Sequence, residues 1–173
     1  MKEINKLRMK VAILFVLTVF TFSSFAQEAV KTKNYQGIVE FGGSTFFQSG
    51  TPFVCSADFI NGFKFTPTFF MGLGVGIRFA PDELGNGDSQ VIPLYGCVRI
   101  NLLNEQRNKV YPYIQSGLGV MFVTRGGGRG AFFHQSFGIG FKNSPVSIGL
   151  CGELISIDYS SVMMIGLNLG FSF

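Results

Sequence analysis

Hydrophobic and polar residues alternate with a period of two along most of this chain. The C-terminal run shows it best. Met163, Ile165, Leu167, Leu169, Phe171 and Phe173 fall on one face, and Met164, Gly166, Asn168, Gly170 and Ser172 on the other. A helix would group its apolar residues at every third and fourth position, so this spacing predicts a strand. The same alternation sets Phe69, Met71, Leu73, Val75, Ile77 and Phe79 against Gly72, Gly74, Gly76 and Arg78. It recurs with Leu94, Val98, Ile100 and Leu102, and again with Phe133, Phe137, Ile139 and Phe141. Turn residues divide the chain into eight such segments, at 35–46, 53–65, 68–80, 91–103, 111–124, 130–142, 146–157 and 162–173. The connections fall at 48–52, 66–67, 81–90, 104–109, 125–129, 143–145 and 158–161.

An even number of antiparallel strands can close on itself and leave no unpaired edge, and a tilted strand needs only about 9–11 residues to cross a bilayer. The predicted fold class is therefore all-β: a transmembrane antiparallel up-and-down β-barrel of eight strands spanning 35–173. A soluble lipocalin-like barrel would invert the faces, apolar inside and polar outside. Composition decides between them. The chain is 47% hydrophobic and 14% charged, with 23 Gly and 21 Phe, whereas soluble domains carry about a quarter charged residues. The polar face is rich in glycine and poor in charge, which suits an interior. Tyr35, Phe63, Phe65, Phe69, Tyr111, Phe141 and Phe173 cluster at one set of strand ends, and Phe46, Phe53, Phe79, Phe122 and Phe133 at the other. These are expected to form two aromatic girdles.

The first 26 residues read as a cleaved secretory signal. Lys2, Lys6, Arg8 and Lys10 precede an apolar run from Val11 to Phe22, and Ser24 and Ala26 stand where the peptidase reads. The run is too short for a spanning helix. A polar stretch, 27–34, is expected on the periplasmic side. Of the 14 Lys and Arg and 10 Asp and Glu, the leader holds four bases and Glu3, so 27–173 is nearly neutral and the basic balance implies no nucleic-acid partner. Cys55, Cys97 and Cys151 match no metal-ligand spacing, and the sequence leaves open whether any two form a disulfide.

Eight ionisable groups point inward by parity: Glu40, Asp58, Lys64, Arg78, Arg99, His134, Lys142 and Glu153. An eight-stranded barrel is just wide enough for side chains to fill it, so these charges need partners. A salt-bridge network plugging the lumen is expected, with inward glycines making room for Arg78 and Arg99. Strand register through 46–52 sets Glu40 opposite Asp58, and Arg99 is the expected bridge between them. By the same facing, serine at Gly76 should be mild and arginine at Val75 damaging. No catalytic, cofactor or metal site is expected. The Gly-rich 125–129 segment lacks the helix of a phosphate cradle, and the acidic 81–88 segment lacks an ordered cation-ligand spacing.

Signal, eight strands and final aromatic residue together resemble the small eight-stranded outer-membrane β-barrels of Gram-negative bacteria, of the OmpA-transmembrane-domain and opacity-protein type. The ending Gly166-Leu167-Asn168-Leu169-Gly170-Phe171-Ser172-Phe173 resembles the C-terminal signal read by the barrel-assembly machinery in that family, which implies that role for Gly166, Leu169, Phe171 and Phe173. Asn61-Gly62-Phe63-Lys64-Phe65 and Phe70-Met71-Gly72-Leu73-Gly74-Val75-Gly76 resemble a hairpin common among its members. The resemblance implies a monomer in the cell outer membrane, in contact with lipid and lipopolysaccharide, with a structural or surface role. One alternative is a narrow small-solute or ion pore. A second is a lipid A-modifying enzyme, since His134-Gln135-Ser136 with Glu153 nearby resembles the arrangement in outer-membrane lipid A deacylases. That motif continues with Asn where Phe137 stands here, and the pair faces inward, away from lipid.

Overall fold

The computed structural model describes residues 34–46, 53–80, 89–124, 128–157 and 160–173. The leader 1–26, most of the 27–34 stretch, the acidic 81–88 segment and 125–127 of the Gly-rich segment lie outside the described residues. Eight strands follow in order: β1 (Tyr35–Phe46), β2 (Phe53–Thr66), β3 (Phe69–Ala80), β4 (Ser89–Asn101), β5 (Val110–Val123), β6 (Arg129–Phe141), β7 (Val146–Ile157) and β8 (Ser160–Ser172). Each pairs antiparallel with its neighbours, and β8 returns to β1 to close the barrel. Every strand end lies within two residues of its expected position.

Register follows the connections. Glu40 stands opposite Asp58, and His134 opposite Glu153. A bulge between Lys64 and Thr66 shifts the β2–β3 register at its turn end. The turns joining β2–β3, β4–β5 and β6–β7 share the end at which β1 starts and β8 stops, here the turn end. The opposite end is the loop end.

The barrel is apolar outside. Leu73, Leu118, Leu150 and Leu167 are 69%, 68%, 61% and 61% exposed, while Glu40, Asp58, Arg78, Arg99, His134 and Glu153 are all buried. Toward the loop end the inward positions are apolar too: Val54, Val91, Met121, Phe132, Ile155 and Met164 are buried together, with Phe46 packed against them. Phe53, Phe63, Phe65, Phe79, Phe122, Phe133 and Phe173 are exposed at the strand ends as expected of girdles. Tyr35, Phe69 and Phe141 are only half-buried there, and two further expected girdle residues turn inward. Phe46 shares the inward parity of Glu40 and Ser44 and joins the interior cluster. Tyr111 shares that of Tyr113 and Gln115 and lines a cavity at the turn end.

Candidate functional site

Arg78 is the centre of the barrel interior. Its side chain is 1% exposed, and its Nε and Nη2 donate to Glu153 Oε2 and Oε1 at 3.0 and 2.7 Å. Nη1 donates to Asp58 Oδ1 at 3.0 Å and lies 2.9 Å from Oδ2. A planar guanidinium serves two carboxylates in this way because its five N–H groups form a rigid fork. Tyr95 Oη donates to Asp58 Oδ1 at 2.9 Å, and His134 Nδ1 lies 3.1 Å from Glu153 Oε1. The Phe132 ring centroid is 5.3 Å from the guanidinium carbon.

Arg78 reaches Asp58 across Gly76. In register Arg78 faces Ser56, and Gly76 faces Asp58. A Cβ on Gly76 would fall 2.2 Å from Asp58 Oδ1 and 2.7 Å from Arg78 Nη1. The glycine therefore makes the space for the ion pair, and serine there is not the mild change that facing alone suggests.

Arg99 does not bridge Glu40 and Asp58. It is buried, but its guanidinium carbon sits 3.6 Å from the centroid of the Tyr113 ring. Arg78 has taken Asp58, and Glu40 Oε2 accepts instead from Gln115 Nε2 at 2.9 Å. The stacking is geometrically natural. Arg99 faces Gln115 across β4–β5 while Asn101 faces Tyr113, so Tyr113 stands diagonal to Arg99 on the same inner face.

Lys64 and Lys142 lie apart from this network, at the turn-end rim. Lys64 pairs with Glu105, whose other oxygen accepts from Asn101 Nδ2 at 3.0 Å. Lys142 donates to the Gln106 carbonyl. The β4–β5 connection is thus held from β2 on one side and from the end of β6 on the other. It is a strap across the turn end. Asn104 fixes its fold, accepting from the backbone N–H of Gln106, Arg107 and Asn108. A cavity of about 590 Å³ lies here, with Lys64, Glu105, Tyr111, Lys142 and Ser172 in its wall.

His134 and Ser136 are both buried on the inner face: His134 Nδ1 lies against Glu153, as the sequence placed them, while Ser136 Oγ accepts from Asn168 Nδ2 at 3.2 Å. Among the described residues, no group of three or more His, Cys, Asp or Glu is placed to hold a metal. The three cysteines are free thiols, Cys97 and Cys151 buried and Cys55 exposed. Sequence reasoning missed Tyr95, Tyr113, Gln115, Glu105 and Asn168. Asn168 stands on the polar face of the last segment, but nothing in the alternation gave its partner or singled out the other four.

Gly166, Leu169 and Phe171 lie on the last strand, where β8 meets β1, and Phe173 follows its end. Phe171 faces Val39 and Leu169 faces Phe41, while Gly37 and Phe173 exchange backbone hydrogen bonds of 2.8 and 2.9 Å.

No family model matches the chain, and no curated protein matches its sequence. Solved structures do. The outer membrane enzyme PagL superposes with a TM-score of 0.61 at 14% identity, over 78% of this chain and 98% of that one. Neisserial surface protein A gives 0.58 at 13% identity, over 80% and 94%. The N-terminal β-barrel domain of Pseudomonas aeruginosa OprF gives 0.52 at 14% identity, over 80% and 97%. At such identities the likeness is one of architecture: the chain has the closed eight-stranded antiparallel fold of small outer-membrane barrels.

Proposed function

We propose that the chain is an integral outer-membrane protein, a monomeric barrel with a structural or surface role in the envelope and a lumen closed by the Arg78 network. The carrying observation is the inversion of polarity. Large aliphatic residues cover the outside while three carboxylates, two guanidiniums and an imidazole are buried within. In water that arrangement would be costly on both counts; in a bilayer it satisfies both. A closed sheet also presents no free edge to a second copy. Residues 1–26 would direct export, and the last strand would be read by the assembly machinery. The outer leaflet, with its lipopolysaccharide, would be the barrel's solvent.

The reading is non-enzymatic. His134 and Ser136, the pair that invites comparison with a lipid-modifying enzyme, are buried inside the barrel away from lipid, with His134 Nδ1 against Glu153 and Ser136 Oγ accepting from Asn168. The test has three parts. Unboiled protein should migrate faster on a denaturing gel than boiled protein, and should fractionate with outer membrane. Purified protein in a planar bilayer should give no sustained conductance. Its expression should leave lipid A mass unchanged. Recovery in the soluble fraction would overturn the membrane assignment, conductance the closed lumen, and a lipid A mass shift the non-enzymatic reading.

A further inference from the structure

The turn end is the basic end of the barrel. Lys64, Arg107, Lys109 and Lys142 stand there against one acidic side chain, Glu105, among the described residues. Glu105 is engaged twice: Lys64 pairs with one of its oxygens, and Asn101 Nδ2 donates to the other at 3.0 Å. Lys142 meets a carbonyl, that of Gln106, and no carboxylate among the described residues. An ammonium has three N–H groups, so two of them remain to donate. The turn-end cavity thus carries in its wall a cation that no described acidic group balances.

The rest of that wall is rich in donors. Tyr111 faces Gly140 across β5–β6, and a Cβ on Gly140 would fall 2.6 Å from the Tyr111 hydroxyl oxygen. The glycine lets the ring lie over β6, whose next inward position is Lys142. Asn143 and Ser172 add an amide and a hydroxyl. Donors grouped about an unbalanced cation suit an anion with several oxygens. A metal ion would meet Lys142, and an apolar molecule would leave the ammonium without a counter-charge.

The height of the cavity selects between a dissolved anion and a lipid. Phe141, in its wall, has the outward parity of Phe137 and Ile139 and ends β6 at the level of the girdle. The strap that supplies Glu105 and Gln106 to the wall is amphipathic. Leu102 and Leu103 before it and Val110 after it are exposed, and so are Arg107 and Lys109 between them. Exposed leucines flanking Lys and Arg fit a segment lying where acyl chains meet charged headgroups. β1 starts at this end and follows the stretch expected on the periplasmic side, so the leaflet concerned is the periplasmic one.

We propose that the turn-end cavity binds the phosphate of an anionic glycerophospholipid, with Lys142 and Tyr111 donating to the phosphate oxygens and the acyl chains running along the outer wall past Phe141. Lys64, paired with Glu105, holds the strap in place as the far side of the site. The site presupposes the outer-membrane reading above and adds to it a lipid that the barrel selects.

The test is a calorimetric titration of folded protein in non-ionic detergent, with heat-dependent gel migration as the check on folding. Three probes are compared: dihexanoyl phosphatidylglycerol, dihexanoyl phosphatidylcholine and inorganic phosphate. Phosphatidylglycerol should bind with a stoichiometry of about one per barrel and at least about 10-fold more tightly than the others, since it alone joins a net charge to acyl chains. Lys142→Gln should weaken that binding about 10-fold, the worth of a hydrogen bond to a charged group. Arg107→Gln removes the same charge from the strap outside the cavity wall and, at physiological salt, should change binding less than about 2-fold. Absence of phosphatidylglycerol binding, or equal binding of phosphatidylcholine, would overturn the site. Inorganic phosphate bound as tightly as the lipid would overturn the lipid and leave a free anion as the ligand. Equal losses in the two variants would reduce the site to diffuse surface charge and so refute it. If Lys142→Gln does not fold, Tyr111→Phe takes its place, with a loss of about 5-fold expected from one hydroxyl; no loss would overturn the cavity as the place of binding. Protein that does not fractionate with outer membrane defeats the membrane reading, whereas protein that does so and binds no phosphatidylglycerol defeats this site alone.

Discussion

Replacing Arg78 by methionine removes a cation from between Asp58 and Glu153 while keeping much of its apolar stem. Both carboxylates are about 5% exposed or less, and the substitution takes away every guanidinium contact that holds them. Tyr95 still donates to Asp58, and His134 still lies against Glu153. Neither supplies a permanent positive charge. Breaking a buried ion pair from one side costs about 3–5 kcal/mol, mostly through the charge left behind. For a urea dependence of about 2 kcal/mol per molar, that loss moves the unfolding midpoint down by roughly 1.5–2.5 M. The assay is reversible urea unfolding of the barrel in detergent or lipid, followed by gel migration and far-ultraviolet dichroism. A second variant isolates the cause: Arg78→Met combined with Asp58→Asn and Glu153→Gln has no stranded charge and should recover most of the loss. A single substitution within about 1 kcal/mol of the unaltered protein would refute the reasoning. So would a triple variant as unstable as the single one, because packing rather than charge would then be the cause.

Gly76→Ala should also weaken the barrel, by roughly 1–3 kcal/mol in the same unfolding assay, because its methyl lies where Asp58 and Arg78 meet. Arg99→Ala should cost less than Arg78→Met, about 2 kcal/mol, since it forfeits stacking on Tyr113 rather than a two-carboxylate pair; an equal or larger loss would return Arg99 to the role of bridge. Leu167→Arg puts a charge on the outer face of β8 and should destabilise by about 2–4 kcal/mol in bilayers, and a neutral result there would argue against lipid contact at that face. Deleting 171–173 removes the paired Phe171, Ser172 and Phe173 from the β8–β1 seam. Outer-membrane fractions probed by immunoblot should lose the folded form, while normal folded levels would show the seam to be dispensable.

Alternation made the strands legible because a barrel strand has two solvents, one per face, and each residue records which it meets. The short connections then fixed register, so Glu40 against Asp58 and His134 against Glu153 could be counted off along the chain. What counting could not reach is where a long side chain goes after it leaves the inner wall. Arg78 and Arg99 have the same parity and the same charge. Arg78 runs along its own strand over Gly76 to Asp58, whereas Arg99 meets an aromatic ring on its diagonal before it meets an acid. Those outcomes depend on the stagger between strands and the volume of intervening side chains, neither of which is a property of one segment's pattern. Lys64 and Lys142 illustrate a second limit. Parity turned them inward, but they stand at the ends of their strands, where a connection can reach over and pair with them. Glu105, in the β4–β5 strap, does so with Lys64.

The seam between β1 and β8 has a kinetic meaning. Phe41 and Leu169 are partners in it although nearly the whole barrel sequence separates them. Every other ladder joins consecutive strands and forms by a local zip, but this one must wait until the final strand exists and has found the first. Such a contact carries the largest loop-closure entropy in the molecule and is expected to set the folding rate. A chain halted before β8 would have seven strands' worth of hydrogen bonds and two raw edges, one on β1 and one on β7. It would be an aggregation template rather than a smaller barrel. Closure is therefore all or nothing, and β8 decides whether the seven strands before it were of any use.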